Sequence, residues 1–275
     1  MIYFLDFRGR NQGGPVLPGH LMTVGSNPPR SEDDLRHESV VTFLIHGFNV
    51  NRPNGQATLA RLAASLPSAS GGALVAVSWP GDSWANFASY PLEGNDADDT
   101  AAELARFIDR VLLPGTVLSF VSHSLGARVV MGTIMRVRAR HPVNQVCTMA
   151  AAIDDFSLAH PRDYGLIAPR VARIAVLASR KDKVLRLAYP VGDLVQAFLF
   201  FRKDRRGGAL GYHGPKPSGS HVVPPNVFCV QVPEAPLEVD HGDYFPGGAT
   251  PNEQQKRAAR FADAVLSGID RPTYQ

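Results

Sequence analysis

The chain has 275 residues, 44% hydrophobic and 19% charged, a balance that fits one folded domain with a large core and excludes an intrinsically disordered chain. Its net charge of +3 comes without a basic stripe interleaved with aromatics, which argues against a nucleic-acid partner, and no apolar run reaches membrane-spanning length. Met1–Phe7 is apolar but lacks a basic start and is interrupted by Asp6 and Arg8, so no secretory signal is read there, and a cytoplasmic location is expected.

In chain order, Ile2–Phe7 and Leu21–Val24 read as two strands around a Gly/Pro loop, expected as an antiparallel edge pair. Short apolar, β-branched runs then alternate with helical periodicity. Strand 40–45 leads to helix 55–66, strand 73–78 to helix 96–112, and strand 116–121 to helix 125–140. Strand 145–152 leads to a short helical region near 160–168, strand 171–178 to helical pieces around 184–201, and strand 226–232 to a terminal helix over 252–266. This alternation implies a single α/β domain over residues 1–275, with a mostly parallel sheet covered on both faces. In such sheets a site forms at the carboxyl ends of the strands. The two cysteines, Cys147 and Cys229, fall inside expected central strands and read as buried free thiols, although adjacent strands could bring them together.

Ser122-His123-Ser124-Leu125-Gly126 joins the strand 116–121 to the helix that follows. A strand that runs straight into a helix needs a sharp turn, which exposes the side chain at its tip. Small residues two positions either side, Ser122 and Gly126, let the two segments approach closely. Ser122 stands where the usual pattern has glycine. Upstream, the strand Val40–Ile45 ends directly in His46-Gly47-Phe48-Asn49, where a glycine lets backbone come close to a substrate.

Together with Ser78-Trp79-Pro80, these stretches resemble the α/β-hydrolase superfamily over roughly residues 38–265, and within it a branch carrying HGFN, SWP and HS-x-G. The resemblance implies an α/β-hydrolase fold with Ser124 as nucleophile and the amides of Phe48 and Leu125 as oxyanion donors. It also implies the chain order serine, acid, histidine. The acid just beyond the penultimate strand is Asp182, and the histidine after the last strand is His241. Asp154 and Asp155, one strand earlier, are rival acids, because some members of the superfamily place it there.

Of the nine histidines, His46 belongs to the oxyanion loop, and the side chain of His123 is expected to point away from the nucleophile. His213 and His221 precede the last strand, while His20, His37, His141 and His160 read as solvated or locally bonded. The two tryptophans, Trp79 and Trp84, share a long aromatic loop with Phe87 and Tyr90. Together with His46 they are expected to border the substrate, with simple coverage of the core as the alternative. The segment 189–225 contains apolar 194–201, basic 202–206 and a Gly/Pro-rich stretch, and is expected to act as a lid.

The function expected is a serine hydrolase acting on a small-molecule ester or thioester with an apolar acyl side, using no metal or organic cofactor. An acyltransferase or amidase on the same fold, or a catalytically silent binding protein, are the alternatives.

Overall fold

The computed structural model describes residues 1–9, 14–24, 30–48, 50–81, 90–188, 207–236 and 238–275. Asn49, Trp84, Phe87, the apolar run 194–201 and the basic run 202–206 lie outside the described residues. Among the described residues there are eight strands, β1 (Ile2–Arg8), β2 (Val16–Met22), β3 (Val40–Ile45), β4 (Ala73–Ser78), β5 (Val117–His123), β6 (Val143–Met149), β7 (Val171–Ala178) and β8 (Val227–Gln231). They form one sheet in the order β2-β1-β4-β3-β5-β6-β7-β8. All neighbours are parallel except β1 and β2. This is the mostly parallel α/β sheet expected from the alternation of strands and helices.

The inner strands β1 and β3–β7 are buried on both faces, their successive residues pointing alternately into two cores. Phe43, Val75, Phe120 and Val176 belong to one core with α3 (Tyr90–Val111) and α4 (Gly126–Arg136). Leu44, Val121, Cys147 and Leu177 belong to the other, with α2 (Arg52–Ala64) and the terminal helix. The Phe43 and Phe120 rings stack across β3 and β5 with centroids 5.4 Å apart.

Several boundaries differ from the sequence expectation, each for a local reason. β2 begins at Val16, not Leu21, because an edge strand tolerates the proline at position 18. α2 begins at Arg52, since the Asn51 side chain caps it by accepting the Asn54 N–H at 3.0 Å and Pro53 suits a first turn. α4 stops at Arg136, where Val137 turns to extended backbone (φ −62, ψ 140), so 137–140 is not helical. The region 160–168 is a series of turns in which the His160 carbonyl accepts the N–H groups of Asp163 and Gly165. β8 is an edge strand, so Cys229 is not central. β7 separates it from β6, so the two thiols do not meet, and both are free.

Of the expected lid, residues 207–213 are seated in the body. Leu210 is fully buried, Gly211 donates to the Ala151 carbonyl and accepts from the Ser179 N–H, and the short helix α6 (Leu210–His213) follows. α1 (Glu32–Arg36), α5 (Lys183–Ala188) and the terminal helix α7 (Glu253–Leu266) complete the frame. No helix among the described residues is long and apolar enough to cross a membrane.

Candidate active site

Strand order fixes where a site can form. The chain passes from β3 outward to β4 and then returns to place β5 on the other flank of β3, which opens a crevice beyond the carboxyl ends of β3 and β5. Ile45 lies in register with Ser122, so the segments leaving the two strands, His46-Gly47 and His123-Ser124, stand side by side. They are close enough to require glycine. A Cβ on Gly47 would meet the Ser124 Cβ at 2.9 Å, and one on Gly126 would meet the His46 carbonyl oxygen at 2.6 Å.

Ser124 itself adopts φ +53, a conformation that costs an L-residue about 1–2 kcal/mol. The surrounding backbone holds it there. Its N–H donates to the Met149 carbonyl at the end of β6, and its carbonyl accepts from Ala127 and Ala152. This is the sharp strand-to-helix corner expected of the motif, with the next residue, Leu125, at the N-cap of α4.

Two other strand ends converge on that corner. Asp182 follows β7 and is fully buried. Its Oδ1 accepts the Leu185 N–H at 2.9 Å, so it caps α5, while its Oδ2 lies 2.8 Å from His241 Nδ1. His241 begins a 3₁₀ turn (His241–Asp243) after β8, and its Nε2 lies 2.9 Å from Ser124 Oγ. A carboxylate only accepts hydrogen bonds, so Nδ1 carries the ring proton and Nε2 is left to accept from the serine hydroxyl.

The loops bearing Asp182 and His241 are fastened to one another by Asp240. Its Oδ1 accepts both the Lys183 N–H (2.9 Å) and the His241 N–H (2.8 Å). Burial tends to raise the Asp240 pKa, but those two N–H groups together with the Lys183 ammonium outweigh it and hold the carboxyl below its usual value.

The family described as "Alpha/beta hydrolase of unknown function (DUF900)" matches residues 31–196. The chain belongs to this α/β-hydrolase family. Solved structures similar to this α/β hydrolase include TT1662 from Thermus thermophilus, at 16% identity and TM-score 0.42 over 84% of this chain and 88% of that one. Thermogutta terrifontis esterase 2 phosphorylated by paraoxon is similar at 11% identity and TM-score 0.43, over 88% and 85% of the two chains. A Trichoderma reesei cutinase in complex with a phosphonate inhibitor is similar at 14% identity and TM-score 0.34, over 87% and 78%. No curated protein matches the chain.

The remaining candidates of this α/β hydrolase sort by their partners. Asp155 is buried, but its Oδ2 is engaged by Lys216 Nζ at 2.7 Å and by the Gly208 N–H at 3.2 Å. The backbone carbonyl of Asp154 accepts from the N–H and the hydroxyl of Ser157. His213 packs edge-on against Tyr212, and His221 lies against His160. His141 and His160 are both buried, so their locally bonded reading applies and the solvated one does not.

His123 reaches toward the histidine loop. Its Nε2–H donates to the His241 carbonyl at 2.9 Å, and its ring packs 4.8 Å from that of His241, beside Phe245. Burial first, and then the neighbouring His241, keep the His123 pKa well below its ordinary value.

His46 and Trp79, both expected to border the substrate, are instead 1% and 0% exposed. Their rings stack 5.6 Å apart, and Trp79 Nε1–H donates to the His46 carbonyl at 2.9 Å. With no surface to offer a ligand, they form the floor beneath the 46–48 loop. Arg8, on a strand that reads only as a sheet edge, reaches the His46 ring at 3.2 Å. Sequence reasoning missed it, because the pairing joins positions 38 residues apart.

Proposed function

We propose that this α/β hydrolase is a serine esterase or thioesterase acting on a small-molecule substrate with an apolar acyl side. The observation that carries the reading is the unbroken hydrogen-bond relay from Ser124 Oγ to His241 at 2.9 Å and from His241 to Asp182 at 2.8 Å. His241 Nε2 takes the serine proton as Oγ attacks the carbonyl carbon, and Asp182 stabilises the imidazolium so formed. The N–H groups of Phe48 and Leu125 receive the developing oxyanion, and the positive end of α4, which begins at Gly126, favours the same charge. His241 then returns the proton to the leaving alkoxide or thiolate. Water, activated by the same ring, attacks the acyl-enzyme and releases the acid. The chemistry needs no metal or organic cofactor, because the relay supplies the nucleophile and the amides supply the electrophilic assistance.

Labelling with a fluorophosphonate followed by mass mapping tests the reading. The modification is expected on Ser124, and Ser124→Ala is expected to abolish both labelling and turnover of short p-nitrophenyl esters. Labelling elsewhere, or full turnover by Ser124→Ala, would refute it.

A further inference from the structure

Arg8 ends β1 with its side chain in the interior, 4% exposed. Its Nη2 donates to the Val50 carbonyl at 2.6 Å and lies 3.2 Å from His46 Nε2. A guanidinium has donors only, so the nitrogen it meets must present a lone pair. The backbone N–H of Trp79 points at the same nitrogen from 3.3 Å. On the other side of the ring, His46 Nδ1 is 2.7 Å from the Gly47 carbonyl oxygen, which only accepts, so Nδ1 carries the hydrogen. Two donors on one edge and one acceptor on the other leave the neutral Nδ1–H form as the only consistent state. Burial, and then the Arg8 charge, keep the ring from protonating, with its pKa pushed down to about 3.

The Gly47 carbonyl and the Phe48 N–H are the two ends of one trans peptide and point in opposite directions. The bond that draws the carbonyl onto the His46 ring therefore turns the Phe48 N–H away from the ring. In the opposite tautomer, a nitrogen lone pair would face the carbonyl oxygen at 2.7 Å, and the peptide would rotate to escape the repulsion.

We propose that Arg8 is a positioning residue for the Phe48 amide: as the charged and nearer of the two donors to His46 Nε2, at 3.2 Å against 3.3 Å for the Trp79 N–H, it contributes most to holding the ring in its Nδ1–H tautomer and so sets the direction of that oxyanion donor. The inference rests on the serine-hydrolase reading above. Removing a whole oxyanion donor costs on the order of 10²–10³ in kcat, so a misdirected one costs less. Arg8→Met is expected to lower kcat for a p-nitrophenyl ester by about ten- to a hundredfold with little change in KM, because ground-state binding is untouched. Arg8→Lys retains a donor and restores most of the loss.

In the His46→Asn background, an amide takes the place of Nδ1–H and has no second tautomer, so Arg8→Met is expected to lower kcat no further. ¹⁵N spectra of histidine-labelled protein read the ring directly. Wild type shows His46 as neutral Nδ1–H, and Arg8→Met, at a pH where the ring stays neutral, shows a population of the neutral Nε2–H tautomer. An unchanged ring spectrum in Arg8→Met, an equal kcat loss in both backgrounds, or no rescue by lysine would overturn the assignment.

Should Arg8→Met not fold, His46→Asn and His46→Gln carry the test. Asparagine keeps the donor to Gly47 and glutamine only the edge facing Arg8, so asparagine must retain more turnover. Equal or reversed losses overturn the proposal. A wild type that neither turns over ester nor labels at Ser124 sinks the serine-hydrolase reading, while the ring spectrum still judges Arg8.

Discussion

Replacing Ser124 by glycine and, separately, by alanine separates chemistry from backbone strain at one position. Both variants lose the hydroxyl and its bond to His241, so neither is expected to turn over ester. They differ in what φ +53 costs them. Alanine keeps a Cβ and retains the strain of about 1–2 kcal/mol. Glycine relieves it but loses roughly 0.5–1 kcal/mol through its greater freedom in the unfolded chain. Ser124→Gly should therefore be more stable than Ser124→Ala by about 0–1.5 kcal/mol, with a centre of about 0.75 kcal/mol or roughly 1.5–3 °C in melting temperature for a domain of this size. Differential scanning calorimetry of the two inactive proteins measures that difference with catalysis removed from both. If alanine proves clearly more stable than glycine, the strained corner is not the conformation the protein holds in solution.

Asp182→Asn is expected to lower kcat by on the order of 10³–10⁴, because an amide leaves His241 without its orienting acceptor. Asp155→Asn should instead leave kcat within a few-fold and lower thermal stability, since Lys216 loses its buried partner. Exchange of those two outcomes between the positions would reassign the acid. Gly126→Ala sets a Cβ 2.6 Å from the His46 carbonyl oxygen, a contact that backbone cannot yield to, and urea melts should show a loss of about 1–3 kcal/mol. A variant as stable as wild type would show that the two loops are further apart.

The His46 pKa falls from 6.5 in the unfolded chain to about 3 in the folded one, so between those values only the unfolded form binds the proton. Its contribution is complete above about pH 6.5 and is lost as the pH falls toward 3, amounting to a few kcal/mol. Urea midpoints followed against pH should fall less steeply over that range in His46→Asn. Parallel curves would mean that the ring protonates freely in the native state.

The strands and the serine corner were legible because they are local. VVTFLI and TVLSFV are continuous apolar runs, and a small-x-Ser-x-Gly stretch between a strand and a helix has few other uses. The order Ser124, Asp182, His241 likewise follows from which strand each residue trails. What stayed unread depends on partners distant in sequence. Asp155 and Asp182 look alike until Lys216 and Gly208 are seen to occupy one of them. Arg8 has no local signature at all, since its role comes from β1 lying two strands from β3 with β4 between them. Trp79 read as a pocket wall because an aromatic beside a loop carries the same signal whether it faces solvent or core. The start of α2 was placed late because the apolar periodicity begins at residue 55, whereas the Asn51 cap and Pro53 start the helix before it.

The two outermost strands carry a consequence for how the protein behaves while it folds. β2 contains Pro18, and β8 is bracketed by Pro224 and Pro225 on one side and Pro233 on the other. A proline has no N–H to give, so a second molecule trying to extend the sheet at either rim finds its templating interrupted within a few residues. A slowly assembling parallel sheet is the kind most exposed to such growth, and here both rims are blunted against polymerisation.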